Sequence, residues 1–187
     1  MMPSKVRAFV HEGKWHDIEV EDDVTAYIEY PNGATGVFVT STGTYPSTNR
    51  FEVQGDLGKI LLDENKLTLF KSNMSEREFN STTKSMWDTP GLEKIDIECG
   101  SEYPGHFAIL KNFNEAILLG TPLMIHGSEG IKGLTISNAM HLSGWLDKTI
   151  ELPLDEDLFL SELKKKIATS KIKTGKDKFA ENMNDSF

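Results

Sequence analysis

Between Thr40 and Arg50 the sequence concentrates groups that bind polyhydroxylated molecules: Thr40, Ser41, Thr42, Thr44, Ser47, Thr48, Asn49 and Arg50. Each sugar hydroxyl needs a donor and an acceptor at close range, and short hydroxyls, an amide and one planar guanidinium supply both. The same composition also suits a long hairpin loop whose hydroxyls bond their own backbone. His106 follows Tyr103-Pro104-Gly105 at the start of a helical pattern, where its ring can donate to a substrate or cover the helix entrance. Asn138 and His141, one turn apart, interrupt an apolar stripe as ligands or as satisfied core polar groups. From Asp17 to Asp23 five of seven residues are acidic, with His16 adjacent. That run reads either as a hard-cation site or as a charged, solvated edge that discourages strand addition.

Other chemistries have no residues to carry them. The nearest thing to a phosphate cradle, Gly127-Ser-Glu-Gly130-Ile-Lys-Gly133, has the wrong glycine spacing and follows no strand of a βαβ unit. HExxH, GxSxG and a Cys/His cluster are all missing from the sequence. No catalytic residue and no metal ligand is therefore assigned. The 187 residues carry 20 Lys plus Arg against 29 Asp plus Glu, a formal net charge of -9 that repels a phosphate backbone, so nucleic acid is not an expected partner. A single cysteine, Cys99, cannot form an internal disulfide, which points to a reducing, cytoplasmic setting. Neither a signal peptide nor a stretch of 18 apolar residues is present, and no membrane contact is expected.

The elements that would hold these groups are mostly strands. Lys5 to Val10 alternates apolar and polar, and Trp15 to Val20 reads as a short strand or an irregular return. Two further alternating runs meet at Pro31-Asn32-Gly33, a hairpin signal in which Gly33 supplies the positive φ. Val24, Ala26 and Ile28 share one face and Tyr27 lies on the other, beside either Phe38 or Val37 and Val39 according to register. That second face is too apolar to be simply wet. It suggests a sheet with its own helices on one side and another protein on the other. Runs joined through Gly55-Asp56-Leu57-Gly58 and Glu64-Asn65 continue the meander, Glu76 to Asn80 adds a short edge strand, and Leu92 to Glu98 closes it. The period then becomes helical over 106–119, stopped by Gly120 and Pro122. Ser128 is placed to cap a second helix that carries a side of small residues, Gly130, Gly133, Ser137 and Gly144. Asp155 caps a third helix, with acids in its first turn and Lys164 to Lys166 in its last. The expected class is α+β: a large, mostly antiparallel open sheet with helices on one face, spanning residues 1–168, then a flexible polar tail over 169–187.

The succession Glu21-Asp22-Asp23-Val24-Thr25, Pro31-Asn32-Gly33-Ala34, Ser41-Thr42-Gly43, Asn49-Arg50-Phe51-Glu52-Val53 with Gly55-Asp56-Leu57-Gly58, Asn112-Phe113, Ser137-Asn138-Ala139 and Leu152-Pro153 resembles the C-terminal domain of the glucose-fructose oxidoreductase/inositol dehydrogenase/rhizopine catabolism (Gfo/Idh/MocA) family. The resemblance runs over about residues 3 to 160. It implies that the bare sheet face joins subunits into dimers or tetramers, and that the domain supplies one wall of a sugar, sugar-acid or cyclitol pocket. NAD or NADP would sit on an N-terminal Rossmann domain that this sequence does not contain. The family's Glu-Lys-Pro motif and catalytic histidine helix also lie outside it, so this chain alone is expected to be inactive and to hold no cofactor. Carried over by position, the pocket wall falls at Thr48, Asn49 and Arg50, and the residue opening the helix before Asn112-Phe113 at His106. The alternative is a stand-alone, non-catalytic interaction or dimerisation module.

Overall fold

The computed structural model describes residues 1–64, 66–98 and 105–171. Cys99, Tyr103-Pro104 and the expected flexible tail beyond residue 171 lie outside the described residues. In order, the elements are β1 (Lys5–Glu12), β2 (Glu21–Glu29), β3 (Thr35–Ser41), β4 (Arg50–Gly55), β5 (Gly58–Asp63), β6 (Lys66–Ser72), α1 (Glu76–Thr82), β7 (Leu92–Ile97), α2 (Gly105–Leu119), a 3-10 turn Gly127–Glu129, α3 (Gly130–Leu146), β8 (Ile150–Glu151) and α4 (Glu156–Thr169). The class is α+β, and the strand pairings among the described residues are antiparallel. Where the sequence suggested one broad sheet, the strands form two four-stranded ladders, β3-β2-β1-β8 and β4-β5-β6-β7. They fall in two compact units, Met1–Gly43 with His126–Phe187, and Thr44–Ile125.

In the first unit the β2–β3 hairpin turns on Pro31-Asn32-Gly33 as expected. Gly33 has φ +83°, its N–H donates to the Tyr30 carbonyl at 2.9 Å, and the Asn32 side-chain oxygen accepts from the Ala34 N–H at 3.1 Å. The pairings Val6↔Ile28, Ala8↔Ala26 and Val10↔Val24 place alternate residues on one face. Helix α3 covers that face. Val6, Ile28, Ala139, Leu142 and Ile150 form the core, each large aliphatic side chain contributing about 1.5–3 kcal/mol by leaving water.

The approach of α3 depends on two small residues. A Cβ built on Gly144 would lie 2.7 Å from the Val10 Cβ, so only glycine fits there without displacement. Ser143 is fully buried. Its hydroxyl accepts from the Ala8 N–H at 2.8 Å and donates to the Lys148 carbonyl at 2.6 Å. β8 pairs β1 only at Lys5 and Val6, so the serine satisfies a strand amide that the ladder leaves over.

The opposite face of this sheet is bare. Register sets Tyr27 against Val37 and Thr25 against Val39, and Phe9, Tyr27, Val37 and Val39 are between 45% and 70% exposed. Phe38 pairs with Ala26 and so lies on the α3 side, not beside Tyr27.

Trp15 to Val20 forms no strand; it is an irregular return over the end of β2. The reason is Asp22, which turns inward. Its carboxylate accepts backbone N–H groups from Lys14 (3.0 Å), Trp15 (2.7 Å) and His16 (2.9 Å). Trp15 lies against Gly43, where a Cβ would come within 2.1 Å of its ring.

In the second unit, Phe51, Leu62, Leu67 and Ile97 fall in one row across the four strands and Val53, Ile60, Leu69 and Ile95 in the next. One face therefore carries two wholly apolar rows, with Lys71 and Glu93 in the row beyond them. The other carries Glu52, Lys59, Lys94 and Asp96, with Lys59 3.3 Å from Glu52 and Lys66 3.1 Å from Asp96. Gly58 has φ +131° and a Cβ there would meet the Phe70 carbonyl oxygen at 2.0 Å, which fixes the glycine in the β4–β5 turn.

Two sequence expectations are corrected. Glu76 to Asn80 is not an edge strand but part of α1. Ser75 caps it, accepting from the Glu78 N–H, and Asp56 in the β4–β5 turn holds the same end through the Ser75 hydroxyl at 2.6 Å and the Arg77 N–H at 3.2 Å. Acids at Glu76 and Glu78 favour the helix N-terminus. Ser128 does not cap α3; it sits inside the 3-10 turn, and the helix starts without a side-chain cap. The Asp155 cap on α4 is present, accepting from the Leu158 N–H at 2.9 Å.

Candidate functional site

Thr48, Asn49 and Arg50 sit where the exposed loop enters β4 in the second unit. Arg50 opens the strand and pairs with Asp63 across the ladder. Its guanidinium donates to Glu52 at 2.8 Å and lies 3.8 Å from Asp63. The hydrogen bond to Glu52 raises the guanidinium's pKa, with the charges of Glu52 and Asp63 adding to it. Glu52 is held below the usual carboxylate range by Arg50 first and Lys59 second. Arg50 thus has a fixed orientation and donors to spare, since a guanidinium offers five N–H groups. The Asn49 carbonyl accepts from the Glu64 N–H at 3.3 Å, tying the loop to the neighbouring hairpin. The Asn49 and Thr48 side chains are exposed and make no hydrogen bond among the described residues.

His106 is the second residue of α2, in the same unit, and is exposed. No hydrogen bond or ion pair among the described residues joins it to Thr48, Asn49 or Arg50. The helix behind it is tied at its middle to the loop that follows it, where Asn112 donates to the Pro122 carbonyl at 3.1 Å and accepts from the Met124 N–H at 2.8 Å. Three of the four residues are consecutive in the chain at the head of β4, and His106 lies at the start of α2.

The acidic run provides no metal centre: among the described residues no group of three His, Cys, Asp or Glu side chains is placed to hold an ion. Burial opposes ionisation of Asp22, but the amides of Trp15, His16 and Lys14 outweigh it and hold the carboxyl below its ordinary value. Its role is to fold the 13–20 return.

The first unit holds a cleft of about 780 Å³ whose walls come from residues 12–21, α3 and α4. Trp145 stacks on Phe159 at 5.6 Å between ring centres, and His141 is tilted against Trp145 at 5.5 Å. Glu12 accepts from the Trp145 indole N–H at 2.8 Å and from Lys166 at 2.7 Å. Burial works against its charge, yet those two donors keep its carboxyl below the usual range. The His141 Nε2 lies 3.6 Å from Glu21. The sequence had marked Asn138 and His141 as polar interruptions of an apolar stripe; both line this cleft.

Residues 1–61 match the model of the GFO/IDH/MocA C-terminal domain. Those residues carry that family's signature. The matched residues comprise β1 to β4 and the start of β5. No curated protein matches the chain. Among solved structures, the aldose-aldose oxidoreductase from Caulobacter crescentus, complexed with glycerol, is 21% identical with a TM-score of 0.59, over 81% of this chain and 42% of its own. An oxidoreductase domain protein from Kribbella flavida is 16% identical with a TM-score of 0.60, over 81% and 44%. The WlbA dehydrogenase from Bordetella pertussis, in complex with NADH and UDP-GlcNAcA, is 20% identical with a TM-score of 0.51, over 82% and 40%. At these identities the likeness is one of fold. The chain spans about two fifths of the length of these solved structures. Among the described residues no helix is long and apolar enough to cross a membrane.

Proposed function

We propose that this chain is the substrate-binding and subunit-contact part of an NAD(P)-dependent oxidoreductase that acts on a sugar, sugar acid or cyclitol. The observation that carries the reading is the family match over residues 1–61. Supporting it, the relatives of like fold include proteins solved with NADH, UDP-GlcNAcA or glycerol. In the whole enzyme hydride passes between a substrate carbon and the nicotinamide, with the proton handled by residues outside this sequence. This chain contributes orientation. Arg50, held by Glu52 and Asp63, presents its remaining N–H donors beside the Thr48 hydroxyl and Asn49 amide, the set that positions vicinal hydroxyls. His106 is the fourth proposed contact. The bare face of the first sheet, with Phe9, Tyr27, Val37 and Val39, forms the subunit contact of a dimer or tetramer.

Two measurements test this. The coding sequence ahead of Met1 is expected to contain an in-frame strand-turn-helix segment with Gly-x-Gly-x-x-Gly. A stop codon immediately upstream, with no such remnant, refutes the enzyme and leaves a stand-alone dimerisation module, for which the bare sheet face is the supporting feature. Titration of the chain alone with NADH and NADPH is expected to show no saturable binding; saturation by either contradicts the division of labour proposed here.

A further inference from the structure

The cleft of the first unit uses the part of the sequence that the oxidoreductase reading leaves idle, the alternating run Asp17-Ile18-Glu19-Val20-Glu21. Ile18 and Val20, 36% and 58% exposed, are apolar residues that the core does not take up, and they line the cleft together with Leu163 and Ile167 of α4. Such a space, mostly apolar with a few convergent polar groups and within the ~300–1,000 Å³ of small-molecule sites, is built to enclose a ligand.

The polar groups say which kind. Glu12 already accepts from the Trp145 indole and Lys166, and Glu19 accepts from the Ser170 hydroxyl and the Lys171 N–H. Glu21 is different. Its only partner among the described residues is His141 at 3.6 Å, beyond hydrogen-bond range, and its side chain is 40% exposed. Asn138, one helical turn from His141, is partly buried and makes no hydrogen bond among the described residues, so its side-chain oxygen is open. Three carboxylates and one ammonium line the cleft, which gives it a negative potential within a chain already at -9. Two acceptors whose side chains make no hydrogen bond among the described residues, a negative field and an aliphatic wall complement a donor-rich cation carrying a hydrocarbon chain.

We propose that this cleft is a binding site for a primary alkylammonium ligand, its NH3+ group donating to Glu21 and Asn138 and its chain lying along Ile18, Val20, Leu163 and Ile167. The site lies within one unit of the fold.

The test is a titration of the full chain, 15N-labelled, with hexylammonium chloride, sodium hexanoate and 1-hexanol at constant ionic strength, following the Trp145 indole N–H that donates to Glu12. Hexylammonium is expected to shift that resonance saturably while the other two do not. Glu21→Gln, which removes the charge and keeps the shape, is expected to weaken hexylammonium at least tenfold, with Glu93→Gln in the other unit as an unchanged control. Should Glu21→Gln fail to fold, Asn138→Ala serves the same comparison. No saturation, equal binding of the anion or the alcohol, or unchanged affinity in the folded variant overturns the proposal.

Discussion

Ser143→Ala tests whether the seating of α3 on β1 depends on one hydroxyl. The substitution removes a single oxygen at a position with no exposure and severs two bonds, from the Ala8 N–H at 2.8 Å and to the Lys148 carbonyl at 2.6 Å. Lys148 is exposed and its carbonyl can turn to water, whereas Ala8 is 1% exposed and its amide cannot. One buried N–H is thus left without a partner, at a cost of about 1–3 kcal/mol. For a chain of this length each kcal/mol lowers the melting midpoint by roughly 2–4 °C. The assay is reversible urea unfolding of wild type and variant, followed by tryptophan fluorescence; the midpoint should fall with the slope unchanged. Amide exchange at Ala8 should accelerate more than at Ala26, directly across the ladder. A stability change under about 0.5 kcal/mol, which is ordinary surface-mutation scatter, would refute the account and mean that β1 is held by its aliphatic contacts alone.

Gly144→Ala places a methyl 2.7 Å from the Val10 Cβ, and the overpacking should cost about 1–3 kcal/mol by the same urea assay. Val10→Ala in that background should recover part of it. Asp22→Asn bears on pH. The folded carboxyl lies below its ordinary 3.8, so the stability it supplies is complete above that value and is lost as pH falls through the lower folded value. The wild type should outlast the variant at pH 7, and the two unfolding midpoints should converge below pH 3.8; a gap independent of pH would refute the role given to the charge. Val37→Glu and Tyr27→Glu place charge on the bare sheet face and should lower the solution mass measured by light scattering, while Phe38→Glu, on the α3 side, should perturb stability instead.

Much of the fold was legible because its signals are local. Pro31-Asn32-Gly33 and Gly55-Asp56-Leu57-Gly58 marked hairpins, and alternation assigned the buried residues of β2. Helix α1 was missed although its signal is also local: Ser75 followed three residues later by Glu78 is a capping box, and the polar alternation around it was read as a strand. Ser128 drew attention as a hydroxyl before a helix, but a 3-10 turn took the place of the cap. What stayed hidden depends on partners distant in sequence. The contact of Arg50 with Asp63 requires the β4–β5 register, and the return over Trp15 to Val20 requires a carboxylate that faces inward. The cleft combines residues 12–21, 138–145 and 159–170, so no single stretch announces it; its one trace was a pair of polar residues, Asn138 and His141, out of place on an apolar stripe.

The second sheet gathers two full rows of hydrocarbon on one surface and sets Glu52, Lys59, Lys94 and Asp96 on the other, and this has a kinetic corollary. Strands β4, β5 and β6 are joined at Gly55↔Gly58 and Asp63↔Lys66 by links of two residues, which leave little slack for misalignment. A displacement of one position would turn Glu52 and Lys59 into the hydrocarbon layer and push Phe51 and Leu62 out among the ions. An incorrectly zipped hairpin therefore carries an immediate electrostatic and hydration penalty, and the meander proofreads its own alignment as each strand is added.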